Sequence, residues 1–240
     1  MQSKDRSGDV RWARAGGAAS LLLAAVLVAA VALRAAASGV TDTIGDSQDY
    51  LGDLVHHRDQ AVAAVWLMGA ASFVMAGAFG GLYYGLRRWG EDAMRVALAA
   101  GLSAAALNLG WVATQAAVVG HIVPEWGVDP NALRRAVLQS NFRTIEWFGI
   151  ATESAYQVAL SVAMAAAGLV MTRMGRRWRW PALVAFVGAV AGLAGALRPA
   201  EDAFRYGGLV QVAALAVWML WLSVRLQSIG GEVEDESGEH

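Results

Sequence analysis

Six long apolar stretches separated by polar segments dominate the pattern of the chain. They cover about residues 15–37, 61–86, 96–123, 146–174, 180–197 and 207–226. Each has at least about 18 residues, enough for a helix to cross the hydrocarbon core of a bilayer. Backbone groups in lipid must be paired within the segment, and no stretch shows the period-two alternation of a membrane strand. The pattern predicts an all-α, polytopic transmembrane bundle of about six helices, which forms a single domain of residues 1–228.

The composition favours the same class of protein. Hydrophobic residues make up 57% of the 240 residues and charged residues only 16%. A soluble chain of this size could not bury so much apolar surface, so the expected partner is the lipid bilayer. The net charge of −1 predicts no nucleic-acid partner. The absence of cysteine excludes disulfides, thiolate catalysis and iron–sulfur clusters.

Positive charge is distributed unevenly between the two predicted sides of the membrane. Seven of the 19 basic residues lie on one side, and 12 lie on the other, namely Lys4, Arg6, Arg11, Arg14, Arg87, Arg88, Arg95, Arg173, Arg176, Arg177, Arg179 and Arg225. The more basic side faces the cytoplasm. The bias therefore predicts a multi-pass protein of the bacterial inner membrane with both termini in the cytoplasm.

The two ends of the chain have distinct patterns. The first span follows a basic segment and ends near the small residues 35–37, as a secretory signal would. Its apolar run is longer than a signal core, which favours an uncleaved anchor. The last residues, 229–240, are acidic and rich in glycine, so we expect a disordered tail.

Glycines at intervals of four residues mark two spans. Gly77, Gly81 and Gly85 lie in the second span, and Gly188 and Gly192 lie in the fifth. Small residues with this spacing let helices in lipid approach closely. We expect these faces to be contacts between helices of one chain, and an interface in a homo-oligomer is the alternative.

The fourth span carries polar residues on one helical face. Glu146, Glu153, Gln157 and Ser161 follow at spacings of seven, four and four residues. Glu153 lies about 10 Å deeper than Glu146 at 1.5 Å per residue. A carboxylate at that depth is expensive to bury, so it needs a partner, a proton or a hydrated surrounding.

The third span offers partners for this carboxylate. Asn108 and Gln115 are seven residues apart and share a face, and consecutive helices usually pack side by side. We expect a pocket formed by Asn108, Gln115, Glu153 and Gln157 that opens to the outer side. It would bind a proton, a cation or a small ligand, and interhelical hydrogen bonds that fix the register are the structural alternative.

A second candidate site lies in the outer segment before the second span. Asp46, Asp49, Asp53 and His57 would lie along one side of a short helix. Carboxylate and imidazole groups suit a divalent metal. The alternative is a solvated face of an interfacial helix, and no sequence motif identifies a cofactor.

The chain resembles a group of uncharacterised six-span bacterial membrane proteins of the actinobacterial type. The resemblance covers residues 10–228 and consists of the basic leader, the span count, the long segment after the first span and the Arg-Trp-Arg-Trp-Pro sequence at 177–181. No activity is established for that group, so the resemblance implies no catalytic residue.

Three functions are compatible with these patterns. The first is a non-enzymatic accessory, sensory or scaffolding bundle that meets a ligand or a membrane partner protein. The second is a proton- or cation-linked transporter of small solutes that uses Glu153. The third is a metal-dependent membrane enzyme that uses Asp49, Asp53 and His57.

Overall fold

The computed structural model describes the backbone of residues 3–38, 47–128, 131–197 and 206–237, and the side chains of most of them. All regular structure in these residues is helical, and the α-helices are α1 Ser3–Ser38, α2 Ser47–His56, α3 Arg58–Leu86, α4 Glu91–Ala117, α5 Val123–Trp126, α6 Ala132–Arg173, α7 Arg179–Ala196 and α8 Gly207–Ser237. Six of them, all except α2 and α5, belong to stretches long and apolar enough to cross a membrane. The predicted all-α, six-span membrane bundle is confirmed.

The six long helices form a closed ring. α1 packs on α3, α3 on α4, α4 on α6, α6 on α7, α7 on α8, and α8 returns to α1. Short connections explain why most neighbours in the ring are also neighbours in sequence. The centre is filled by side chains that are completely buried, including Met75, Phe79, Met164 and Trp218.

The two ends of the ring differ. The first residues of α1, the last residues of α8 and the α3–α4 and α6–α7 connections share what we call the terminal end. The opposite end, which we call the α2 end, carries α2, α5 and a second small core formed by Tyr50, Leu51, Leu54, Ala61, Val118, Val119, Ile122, Val123 and Phe142.

Two helices extend further than the sequence predicts. α6 begins at Ala132, 14 residues before the predicted start, because Asn131 caps it with a hydrogen bond from the Arg134 amide (2.9 Å) and Phe142 packs in the second core. Its 42 residues span about 63 Å. α8 continues through Ser237, beyond the end predicted for the sixth span at residue 226.

Glycines bring α1 and α3 into backbone contact. A β-carbon added to Gly16 or to Gly81 would overlap the backbone of the other residue. Gly77 lies against Ala19, and Gly85 lies against the Leu226 side chain of α8. The glycine face predicted in the second span is therefore covered by helices of the same chain.

Candidate functional site

Four polar side chains of α6 and α8 meet near the α2 end of the ring. We call Glu153, Gln157, Ser161 and Gln211 the amide cluster. The side-chain amide nitrogen of Gln211 donates to the backbone carbonyl oxygen of Gln157 (3.1 Å) and to the Ser161 hydroxyl (3.0 Å). The Ser161 hydroxyl donates to the same carbonyl (2.7 Å). Gln157 is 5% exposed and Gln211 0%, so α6 and α8 are joined by a buried polar network.

Glycines of α7 and α8 provide the space for these side chains. A β-carbon at Gly192 would overlap the Gln211 amide, and one at Gly208 would overlap the Gln157 amide nitrogen. Gly195 and Gly207 let the two backbones approach closely. The glycines therefore form walls of the cluster as well as helix contacts.

Two buried acceptors of the cluster have no donor in the described part of the chain. The backbone carbonyl of Gln157 can only accept a hydrogen bond, so it must meet the nitrogen of the Gln211 side-chain amide and not its oxygen. The Gln157 amide nitrogen lies 3.4 Å from the half-buried Glu153 carboxylate. The side-chain oxygens of Gln157 and Gln211 are buried and have no hydrogen-bond partner in the described part of the chain. A buried acceptor without a donor costs about 1–3 kcal/mol, so the cluster favours a ligand that is a cation or donates hydrogen bonds.

Below the cluster the ring is apolar. Leu215 and Trp218 follow Gln211 on the same face of α8, and Leu160 and Met164 continue α6; none of these four side chains is exposed. The Trp218 indole nitrogen finds no hydrogen-bond partner among the residues described, as expected in an apolar surrounding. The side chains on this side of the cluster therefore offer it no further polar partner.

The structure brings only part of the predicted pocket together. Glu153 and Gln157 are adjacent, but Asn108 donates to the Met68 carbonyl (3.2 Å) and the Ser72 hydroxyl (2.8 Å) of α3. α4 lies between α3 and α6, and its face at Asn108 turns toward α3.

Gln115 lies between a small cavity and α6. It lines a cavity of about 30 Å³ beneath α2, whose other walls are Ala30, Tyr50, Leu54, Ala61, Ala64, Val65, Met68, Trp111 and Val119. Its amide nitrogen also lies near Gly149 of α6. Most of the cavity wall is apolar, and Gln115 contributes an amide group to it.

Sequence reasoning missed Gln211. The signal was present, because Gln211 is a lone amide in the apolar sixth span, one turn after Gly207 and Gly208. A buried amide in lipid requires a partner from another helix. That reasoning would have directed attention to Gln157 and Ser161.

The predicted metal site is described in part. Asp53 is exposed, and the Nδ1 atom of His57 lies within hydrogen-bonding distance of the Asp53 backbone oxygen (3.1 Å), one turn earlier. The Asp49 side chain and residue 46 lie outside the described part. Within the part described, no three His, Asp or Glu side chains are grouped for a metal ion.

Comparisons with protein-family models, curated proteins and solved structures give no match. Within the described chain, the amide cluster combines burial, a carboxylate and acceptors without donors.

Proposed function

We propose that the chain is a non-enzymatic membrane protein of the sensory or accessory kind that binds a small cation or a proton at the amide cluster. The observation that carries this proposal is the pair of buried amide oxygens without donors beside the Glu153 carboxylate. Three acceptor groups of one cluster suit a ligand that brings positive charge or N–H and O–H donors.

The apolar core supports binding rather than transport. A transported ion would have to pass the level of Met164 and Trp218, which are completely buried among apolar side chains. Glycine and proline breaks in paired spans are typical of transporter sites, and α6 continues unbroken past Glu153.

The experiment measures thermal stability of the purified protein in detergent. Sodium, potassium or ammonium chloride replaces choline chloride at constant ionic strength, and a separate series varies pH from 5 to 8. A ligand at 100 times its Kd adds about 2.7 kcal/mol, which raises Tm by roughly 5–10 °C for a chain of this size. Stabilisation by a cation identifies that cation, and a response to pH alone identifies the proton.

Two variants separate the cluster from general charge effects. Glu153→Gln removes the carboxylate of the cluster and should abolish the shift. Glu125→Gln is the matched control, because Glu125 lies at the same end and pairs with Arg134 (3.2 Å) outside the cluster. Equal responses of wild type and Glu153→Gln, or no response to any cation or to pH, would overturn the proposal.

We also propose the bacterial inner membrane, with both termini in the cytoplasm, as the location of the chain. The support is the excess of arginine and lysine at the terminal end. Reporter fusions after Gly90 and after Gly175 should both report the cytoplasm. Reporters on opposite sides, or both outside the cell, would contradict this orientation.

A further inference from the structure

We propose that the α6–α7 connection binds the phosphate of an anionic phospholipid headgroup. We call residues 173–180 the basic turn. It carries four exposed arginines, Arg173, Arg176, Arg177 and Arg179. It lies at the terminal end of the ring, away from the amide cluster, so this inference is independent of the proposed function.

The backbone of the basic turn has a defined conformation. Gly175 has φ of 100°, a value that side chains disfavour, and residues 176–178 form one 3₁₀ turn. The Trp178 amide donates to the Gly175 carbonyl (3.1 Å). The Trp178 ring packs edge-on against Trp221 of α8, with centroids 4.9 Å apart. The arginines therefore project from a turn that is anchored to the neighbouring helix.

No carboxylate neutralises the basic turn within the described chain. None of its four arginines has an ion pair there, and the sequence contains no Asp or Glu between Glu153 and Glu201. Uncompensated guanidinium groups at a membrane surface attract anionic lipid.

The other turn at the same end shows the opposite arrangement. Arg87 forms two short hydrogen bonds with the Asp9 carboxylate (2.7 and 2.8 Å). Arg95 pairs with Glu91 (2.9 Å) and Asp92 (3.4 Å). Positive charge for membrane topology is present in both turns, but among the side chains that the structure describes Arg87 and Arg95 have carboxylate partners, whereas the arginines of the basic turn do not.

The exposed surface of α7, which follows the basic turn, suits the remaining parts of a lipid molecule. Trp180 is 73% exposed, and the apolar side chains Leu183, Val187 and Val190 are exposed further along α7. They recur at three- and four-residue spacing, so they form one stripe on the helix. The guanidinium groups suit the phosphate of the headgroup, which they can bind in bidentate fashion. The interfacial tryptophan lies at the level of the glycerol region, and the apolar stripe follows at the level of the acyl chain.

The test is native mass spectrometry of the full chain released from micelles with equal amounts of phosphatidylglycerol and phosphatidylcholine. The wild type should retain phosphatidylglycerol preferentially. Arg176→Gln with Arg177→Gln should lower that retention roughly 25-fold, since each arginine near an anionic surface contributes about a factor of five. Arg176→Lys with Arg177→Lys should give a smaller loss, because lysine keeps the charge but not the bidentate geometry.

Arg88→Gln with Arg95→Gln is the matched control, because it removes the same charge from the other turn. It should retain phosphatidylglycerol as the wild type does, and an unchanged Tm shows that each variant is folded. Equal losses in the two glutamine variants, or no preference between the lipids, would overturn the proposal. Complete displacement of the lipid by 10 mM inorganic phosphate would also overturn it, because the site would then recognise the free anion.

Discussion

Two glycine-rich contacts in the ring have the same four-residue spacing but accommodate different groups of the partner helix. At the α1–α3 contact, Gly81 meets Gly16 and the two backbones touch. Along α7, Gly188 meets the Met164 side chain, whereas Gly192 meets the amide of Gln211. The outcome depends on what the partner helix supplies at the same level, which is a glycine in α1 and a glutamine in α8. The spacing alone therefore indicates close packing but not whether the space holds a backbone or a polar group.

The largest effect is expected at the contact between two backbones. Gly81→Leu would place a side chain where the Gly16 backbone lies, which forces α1 and α3 apart. Overpacking costs about 1–3 kcal/mol or more, and rigid backbone on both sides favours the upper end. We expect most folded protein in detergent to be lost, as measured by size-exclusion chromatography. Gly80→Leu is the control, since no neighbouring atom lies within 4 Å of its β-carbon position.

A smaller effect is expected where glycine faces a side chain. Gly192→Ala should displace the Gln211 amide, lowering stability by about 1–3 kcal/mol through lost buried hydrogen bonds. Adding Gln211→Ala should restore stability without restoring the response to cation or pH. A combined variant as unstable as Gly192→Ala alone would contradict this prediction and would assign the clash to the Ser161 hydroxyl, which the added β-carbon would also overlap.

Removing the side-chain amide of Gln211 should abolish ligand binding and leave the stability of the protein almost unchanged. Gln211→Leu keeps a similar volume, and the Gln157 carbonyl still accepts from Ser161 (2.7 Å), so we expect a stability change within about 1 kcal/mol. The Tm shift caused by cation or pH should disappear. Asn108→Leu serves as the counterpart at the α3–α4 contact and should leave that shift intact. A normal shift in Gln211→Leu would remove Gln211 from the ligand site.

The smallest effect is expected at the hydrogen bond between Ser72 of the second span and Asn108 of the third span. Ser72→Ala removes one acceptor from Asn108, which retains the Met68 carbonyl. We expect a loss of about 0.5–1 kcal/mol and an unchanged response to cation or pH in thermal denaturation. A change in that response would connect the α3–α4 contact with the amide cluster.

The sequence predicted the helices better than the contacts between them. Length and hydropathy determine whether a segment spans lipid, and the pairing of Glu153 with Gln157 follows from their spacing of one turn. The direction that α4 turns Asn108 depends on how α3 and α6 pack around it, which a single helix cannot show. The partnership of Gln211 with Ser161 depends on contacts across 50 residues of sequence, and the early start of α6 depends on packing against α2.

The closure of the ring by α8 has a consequence for synthesis of the chain. Gly17 of α1 faces the backbone of Ser223, and Gly85 of α3 faces Leu226, so α1 and α3 pack on a helix that is synthesised after both of them. Gln157 and Ser161 likewise enter the bilayer before Gln211 can reach them. The place between α1 and α7 stays unfilled until α8 is inserted, so a nascent chain that ends before α8 would lack the contacts that close the ring.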